Sequence, residues 1–291
     1  MTPATEEKRK QLQQFIEDVL IGETAVKGVV AIGSMATGHM TPQSDIDAII
    51  FFDPFDYYIV PAEAIWQPDE DTFYSIFNEQ HKGIPLDFAR LNWQQWANPD
   101  FVWPEGRKAE LSMGWIVYDP DSAVKNLIIQ RTAYPDDLRL ARLDESIIWL
   151  DQHLNNDVPQ QIWQTLGPVV AHDRLGAAYH YLVQALFAYN RQWRPWRNRE
   201  MQTLLNLAWL PREFEMRVLT AVTAPNLEND GYMIRVQTLS DLFEELLSQL
   251  ITNGDYSNTP IDQAFIRSNE EPGRAWNMDE WNKFRRARLL T

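Results

Sequence analysis

The stretch from Gly33 to Asp47, Gly-Ser-Met-Ala-Thr-Gly-His-Met-Thr-Pro-Gln-Ser-Asp-Ile-Asp, constrains this chain more than any other. The apolar run Val29-Val30-Ala31-Ile32 leads into it, and Ala48-Ile49-Ile50-Phe51-Phe52 leads out. Both runs read as short buried strands, the second because Ile-Ile-Phe-Phe favours extended backbone. Successive strand side chains alternate faces, so Asp45 and Asp47 point the same way. Neighbouring carboxylates repel unless a cation sits between them. Hard oxygen ligands of this kind suit Mg²⁺, which takes one or two carboxylates together with substrate phosphates. Gly33 permits a tight exit from the first strand and a close approach of ligand. Met35 and Ala36 can open a helix, and backbone N–H groups at such a turn, with the Ser34 hydroxyl, favour phosphate. A phosphate cradle beside a metal-binding acid pair implies phosphoryl or nucleotidyl transfer.

The spacing of Gly-Ser, ten residues, then Asp-Ile-Asp resembles the signature of the DNA polymerase β-type nucleotidyltransferase superfamily. The longer form, Gly-Ser-x-x-x-Gly-x-x-x-Pro-x-Ser-Asp-Ile-Asp, is most similar to antibiotic nucleotidyltransferases of the streptomycin and aminoglycoside kind. Thr37 stands where many relatives carry Arg, and Ala48 where a larger aliphatic is usual; neither change removes a chemical group that the reaction needs. The resemblance implies a third carboxylate on a neighbouring strand. Ile84-Pro85-Leu86-Asp87-Phe88-Ala89-Arg90-Leu91 offers Asp87, a lone acid in an apolar run and therefore costly unless neutralised. It implies two Mg²⁺ ions among Asp45, Asp47 and Asp87, Gly33 and Ser34 on the phosphates, and an NTP, expected to be ATP, as co-substrate. It also implies a fold of class α+β: a small mixed sheet with flanking helices, then a C-terminal helical bundle.

The first half supports that order. Residues 5–20 have helical spacing. Strands are expected over 27–33, 45–52, 83–91 and 114–118, and a helix over 71–79. After Asp119-Pro120 helical periodicity dominates, with helices expected over 121–129, 136–154, 174–191, 198–208, 212–222 and 232–251. The expected division is a catalytic domain over 1–130, a helical domain over 131–270 and a basic tail helix over 271–291. That tail opens on Asn277-Met278-Asp279-Glu280, which resembles a capping box.

Phe187 to Arg199 forms the second informative segment, aromatic, rich in arginine and broken by Pro195. It is similar to loops in helical domains of the same superfamily whose basic residue faces nucleotide phosphates. Arg197 and Arg199 occupy the corresponding positions. Arg174 and His180 fit a permissive ribonuclease spacing that any helix produces. Asp144, Glu145, Asp173 and Glu200 are unranked candidates for holding a cationic substrate or acting as a base.

Composition narrows the partners. With 26 basic and 41 acidic residues the formal charge is −15, which disfavours nucleic acid and suits a cationic small-molecule acceptor. There is no cysteine, so disulfides and thiolate chemistry are excluded. No apolar run approaches the roughly 20 residues of a membrane span, and the polar start, Met1 to Lys10, shows no apolar leader. No membrane partner and a cytoplasmic location are therefore expected. Two further readings fit the same residues: an enzyme that nucleotidylates a protein, and a catalytically idle nucleotide-binding regulator.

Overall fold

The computed structural model describes residues 1–70, 72–77, 82–269 and 278–288. They fall into two compact units, Met1–Ala133 and Tyr134–Thr291.

The first unit is built on a mixed sheet of six strands: β1 (Val26–Ala31), β2 (Ile46–Phe52), β3 (Glu63–Gln67), β4 (Thr72–Tyr74), β5 (Ile84–Asn92) and β6 (Trp115–Tyr118). Their order across the sheet is β4-β3-β5-β2-β1-β6. Only β2 and β5 pair in parallel; the other neighbours are antiparallel. Alternation along the strands gives each face its own core. Val29, Ala31, Ile46, Ala48, Ile50, Phe52, Leu86 and Phe88 face one side, covered by Leu12 and Phe15 of α1 (Pro3–Phe15) and by the π-helical turn Ile16–Leu20. Val30, Ile49 and Phe51 face the other. They are covered from α3 (Trp93–Ala97), α4 (Glu105–Ser112) and α5 (Ala123–Thr132) by Trp96, Leu111, Val124, Leu127 and Ile128, with Trp103 from the loop between α3 and α4. Fully burying a side chain of this size contributes about 1.5–3 kcal/mol.

Two sequence expectations change here. The helix expected over 71–79 is absent among its described residues: Thr72, Phe73 and Tyr74 pair with Gln67, Trp66 and Ile65 as β4. The triplet is β-branched and aromatic, and Phe73 packs edge-on against Phe15 at 6.1 Å. The sheet therefore has two strands, β3 and β4, beyond the four expected. Pro85, which suits a strand start or an edge, lies second in β5, opposite Ile65.

The second unit is helical: α6 (Asp136–Leu154), α7 (Val158–Leu166), α8 (Pro168–Tyr189), α9 (Arg197–Leu204), α10 (Phe214–Val222), α11 (Asn229–Thr252), α12 (Pro260–Asn269) and α13 (Met278–Arg288). Leu143, Ile147 and Leu150 of α6, Leu182 and Leu186 of α8, and Leu242, Leu246 and Leu250 of α11 are wholly buried in one core. No helix among the described residues is long and apolar enough to cross a membrane. Residues 271–277, including the expected capping Asn277, lie outside the described residues, while the tail helix itself is present as α13.

Candidate functional site

Strand β1 ends at Ala31, and the chain turns at Gly33 into the short helix α2 (Gly33–Thr37). Gly33 has φ +60° and Gly38, which closes the helix, φ +82°. Both lie in the left-handed region that glycine adopts without Cβ strain. Ala36 is the first amide of this turn to reach back to a carbonyl, that of Ile32 at 3.3 Å, so the N–H groups of Gly33, Ser34 and Met35 precede the helical ladder. The amide of Ile32 donates to the carbonyl of Asp47 at 3.0 Å, which sets the turn beside the start of β2.

Asp47 is the second residue of β2, and Asp45 lies one residue before the strand. In the parallel register Asp47 stands opposite Asp87 of β5. Asp47 shares parity with Ile49 and Phe51, and Asp87 with Ala89 and Leu91, so both belong to the face that α3 to α5 cover farther along. Asp45 and Asp87 are exposed and Asp47 is half-buried. The structure thus brings Asp47 and Asp87 together in register, with Asp45 and the Gly33-Ser34 turn next to them.

Sequence reasoning missed two residues here. Glu63 of β3 stands opposite Asp87 on its other side, so three acids, Glu63, Asp87 and Asp47, cross three adjacent strands in one row. No local signal could reveal Glu63, because its place depends on β3 pairing with a distant strand. Asp87 is exposed yet partly desolvated by its surroundings: that loss of water first, then the charges of Glu63 and Asp45, push its carboxyl above the usual carboxylate value. Lys8 is the second. It lies on α1 within electrostatic reach of Asp45.

Among the described residues, no three His, Cys, Asp or Glu side chains are gathered into a ready-made metal cage. The donor set nevertheless fits Mg²⁺: hard carboxylates in register beside a phosphate-compatible turn, completed in such sites by water and substrate phosphates.

The arginine-rich segment belongs to the second unit and is largely neutralised from within. Glu200, 5% exposed, accepts from both Arg194 and Arg197. Arg194 also reaches His180 Nδ1 at 2.9 Å, and Arg191 pairs with Asp136. Arg199 is exposed, and its guanidinium has no partner among the described residues. Trp193 is buried and packs on Tyr134 at 4.6 Å.

The acids left unranked by sequence now separate. Asp144, 4% exposed, receives the Tyr256 hydroxyl at 2.6 Å and Arg267 through Nε at 2.9 Å and Nη2 at 2.7 Å. This acid and Glu200 are structural anchors, saturated by arginine and unsuited to act as a base. Glu145 accepts from Gln184 at 2.8 Å. Asp173 is exposed.

Residues 8–102 match the family model of the nucleotidyltransferase domain. The matched span holds Gly33, Ser34, Asp45, Asp47, Glu63 and Asp87. No curated protein sequence matches the chain. Among solved structures, it is similar to a nucleotidyltransferase-like protein from Exiguobacterium sibiricum at 12% identity and a TM-score of 0.39, over 95% of this chain and 82% of that one.

Proposed function

We propose that this protein is a Mg²⁺-dependent enzyme that transfers a nucleoside monophosphate from an NTP, with ATP as the expected donor, to a hydroxyl of a small cationic acceptor of the aminoglycoside kind. The observation that carries the reading is the registered pair Asp47 and Asp87 on adjacent parallel strands, beside the Gly33-Ser34 turn. The nucleotidyltransferase-domain match over residues 8–102 supports nucleotidyl transfer in general. The acceptor class rests on the excess of 41 acidic over 26 basic residues and on the antibiotic-type motif from Gly33 to Asp47.

In this reading Asp45, Asp47 and Asp87 hold the metal. Mg²⁺ bound there would supply charge neutralisation for the leaving pyrophosphate and a lowered pKa for the attacking hydroxyl. The protein's own groups do the rest. Gly33 opens the turn for close approach of phosphate, and the Ser34 hydroxyl donates to it. Asp87, whose carboxyl is pushed upward by partial desolvation and by Glu63 and Asp45, stands in the row of acids where an acceptor proton would be taken up. Arg199, whose guanidinium is uncommitted, is better suited than Arg197 to meet phosphate; Arg197 is held by Glu200. In-line displacement needs little covalent help from protein, so positioning and electrostatics carry the rate.

The test is an acceptor screen by mass spectrometry with ATP and GTP, with and without Mg²⁺. The expected result is a mass gain of one nucleotide on a cationic, hydroxyl-rich small molecule, with pyrophosphate released. Nucleotide transferred to a protein would replace the acceptor class. Tight Mg²⁺-dependent NTP binding with no turnover on any acceptor would mark an idle binding protein instead.

A further inference from the structure

The inner face of α1 carries a lysine. Thr5, Lys8, Leu12 and Phe15 follow at three- and four-residue steps and share one side of the helix. Thr5, Leu12 and Phe15 are 0% exposed, and Lys8 between them is half-buried. Side chains on a helix lean toward its N-terminus, so the Lys8 stem runs toward Thr5. The Thr5 hydroxyl in turn accepts the Met40 N–H at 3.0 Å.

The helix cannot drift from this position. The Thr2 hydroxyl donates to Met40 O at 2.8 Å, and the Thr2 amide to Gly38 O at 3.0 Å. Arg9 donates to Met35 O at 2.9 Å and Ala36 O at 3.1 Å, and lies over the Trp115 ring at 4.4 Å. The first turns of α1 are therefore tied at several points to the segment that begins with Gly33 and Ser34. Burial holds the Lys8 ammonium below its usual pKa, while Asp45 and Glu7 pull the other way. Among the described residues the ammonium has neither an ion pair nor a hydrogen bond. A partly desolvated cation without a partner is a cost to the fold, and an incoming anion relieves it.

We propose that Lys8 binds the pyrophosphate portion of the NTP seated on the Gly33-Ser34 turn. This rests on the nucleotidyl-transfer reading above and adds to it a cation supplied by the N-terminal helix. A compact ammonium serves phosphate as a point charge. Lys8, within electrostatic reach of Asp45, would offset repulsion between the triphosphate and that acid.

Binding of ATP, pyrophosphate and adenosine, each with Mg²⁺, to the full chain tests this in the wild type, Lys8→Met and Lys8→Arg. Lys8→Met should weaken ATP and pyrophosphate about tenfold or more, as expected for losing a charge-assisted contact. It should leave adenosine binding unchanged and should not lower the melting temperature of the unliganded protein, and Lys8→Arg should recover most of the loss. On the unmodified protein, Mg²⁺ and pyrophosphate should protect Lys8, but not the exposed Lys10, from amine acetylation. Unchanged ATP binding in Lys8→Met, with the wild type active, would overturn the Lys8 assignment alone. Equal loss of adenosine, or a fall in unliganded stability, would make Lys8 structural and overturn it as well. A wild type that binds neither ATP nor pyrophosphate would overturn both readings.

Discussion

The two units treat their acids in opposite ways. In the helical unit, Asp144, Glu200 and Asp255 are each met by arginine. Asp255 and Arg139 form two bonds of 2.8 Å, Asp144 holds Arg267 and Tyr256, and Glu200 holds two arginines. In the sheet unit, Asp45, Glu63 and Asp87 gather with Asp47 at one end of the sheet. Among the described residues the first three have no ion pair. A paired buried acid holds a fold in one arrangement, and its loss strands the partner's charge. Crowded acids raise the energy of the unliganded protein, a cost that a bound cation removes. The same residue type is thus a structural anchor in one unit and crowded with its like in the other, where the proposed function seats the metal.

The sharpest way to break that contrast is to remove charge from each group and ask what is lost. Asp45→Asn or Asp47→Asn should lower turnover by about 10²–10³-fold, the scale of losing one preorganised electrostatic group, with the melting temperature intact. Steady-state kinetics and thermal unfolding on the same samples decide it, and near-normal Mg²⁺-dependent turnover in either variant would remove these residues from the site. Asp144→Ala should do the reverse. It should lose about 3–5 kcal/mol of stability in denaturant titrations, because Arg267 is left without its carboxylate, while any protein that remains folded keeps its turnover per molecule.

Asp87 sharpens the contrast through pH. Its folded-state pKa is raised, so the ionised form is disfavoured by folding. Its contribution to stability is fully present below the unfolded value of 3.8 and is lost as pH rises through the folded value. Metal-free Asp87→Asn should therefore match the wild type at low pH and become relatively more stable toward neutrality, while being deficient in turnover. Melting curves across that range that stay parallel would show that the crowding of Glu63, Asp87 and Asp45 has no energetic consequence. At the small end, Arg199→Ala should weaken NTP binding about tenfold without a change in melting temperature, on the scale of one charge-assisted contact. Arg197→Ala should cost at most about 1 kcal/mol of stability, since that arginine is 68% exposed where it pairs with Glu200. If the two variants exchanged these effects, the assignment within the arginine-rich loop would be inverted.

Much of the sheet unit could be read before any coordinates, because its strands announce themselves locally. Val29 to Ile32 and Ala48 to Phe52 are continuous apolar runs bounded by turn residues, and Leu143, Ile147 and Leu150 mark α6 by helical spacing. The hairpin β3–β4 was not legible. Glu63-Ala64-Ile65-Trp66-Gln67 is short, follows an aromatic turn, and acquires its place only by pairing with β5. Glu63 went unseen for that reason, although Asp87 beside it stood out as an acid in an apolar strand. In the loop from Phe187 to Arg199 the arginines were visible but their partners were not. Glu200 neutralises two of them through side-chain geometry that composition does not encode.

The parallel pairing of β2 and β5 has a consequence for how such a protein can change. Asp47 and Asp87 face each other because two interior strands are in register, whereas the chain between those strands leaves and builds its own hairpin at the sheet margin. Exposed positions of that excursion can therefore change while the separation of the two aspartates stays a property of the sheet; Val60 and Trp66, buried in the core, cannot. Variation and selection can act on that excursion, Glu63 included, without retuning the spacing of the two acids. For an engineer it is the place to randomise first.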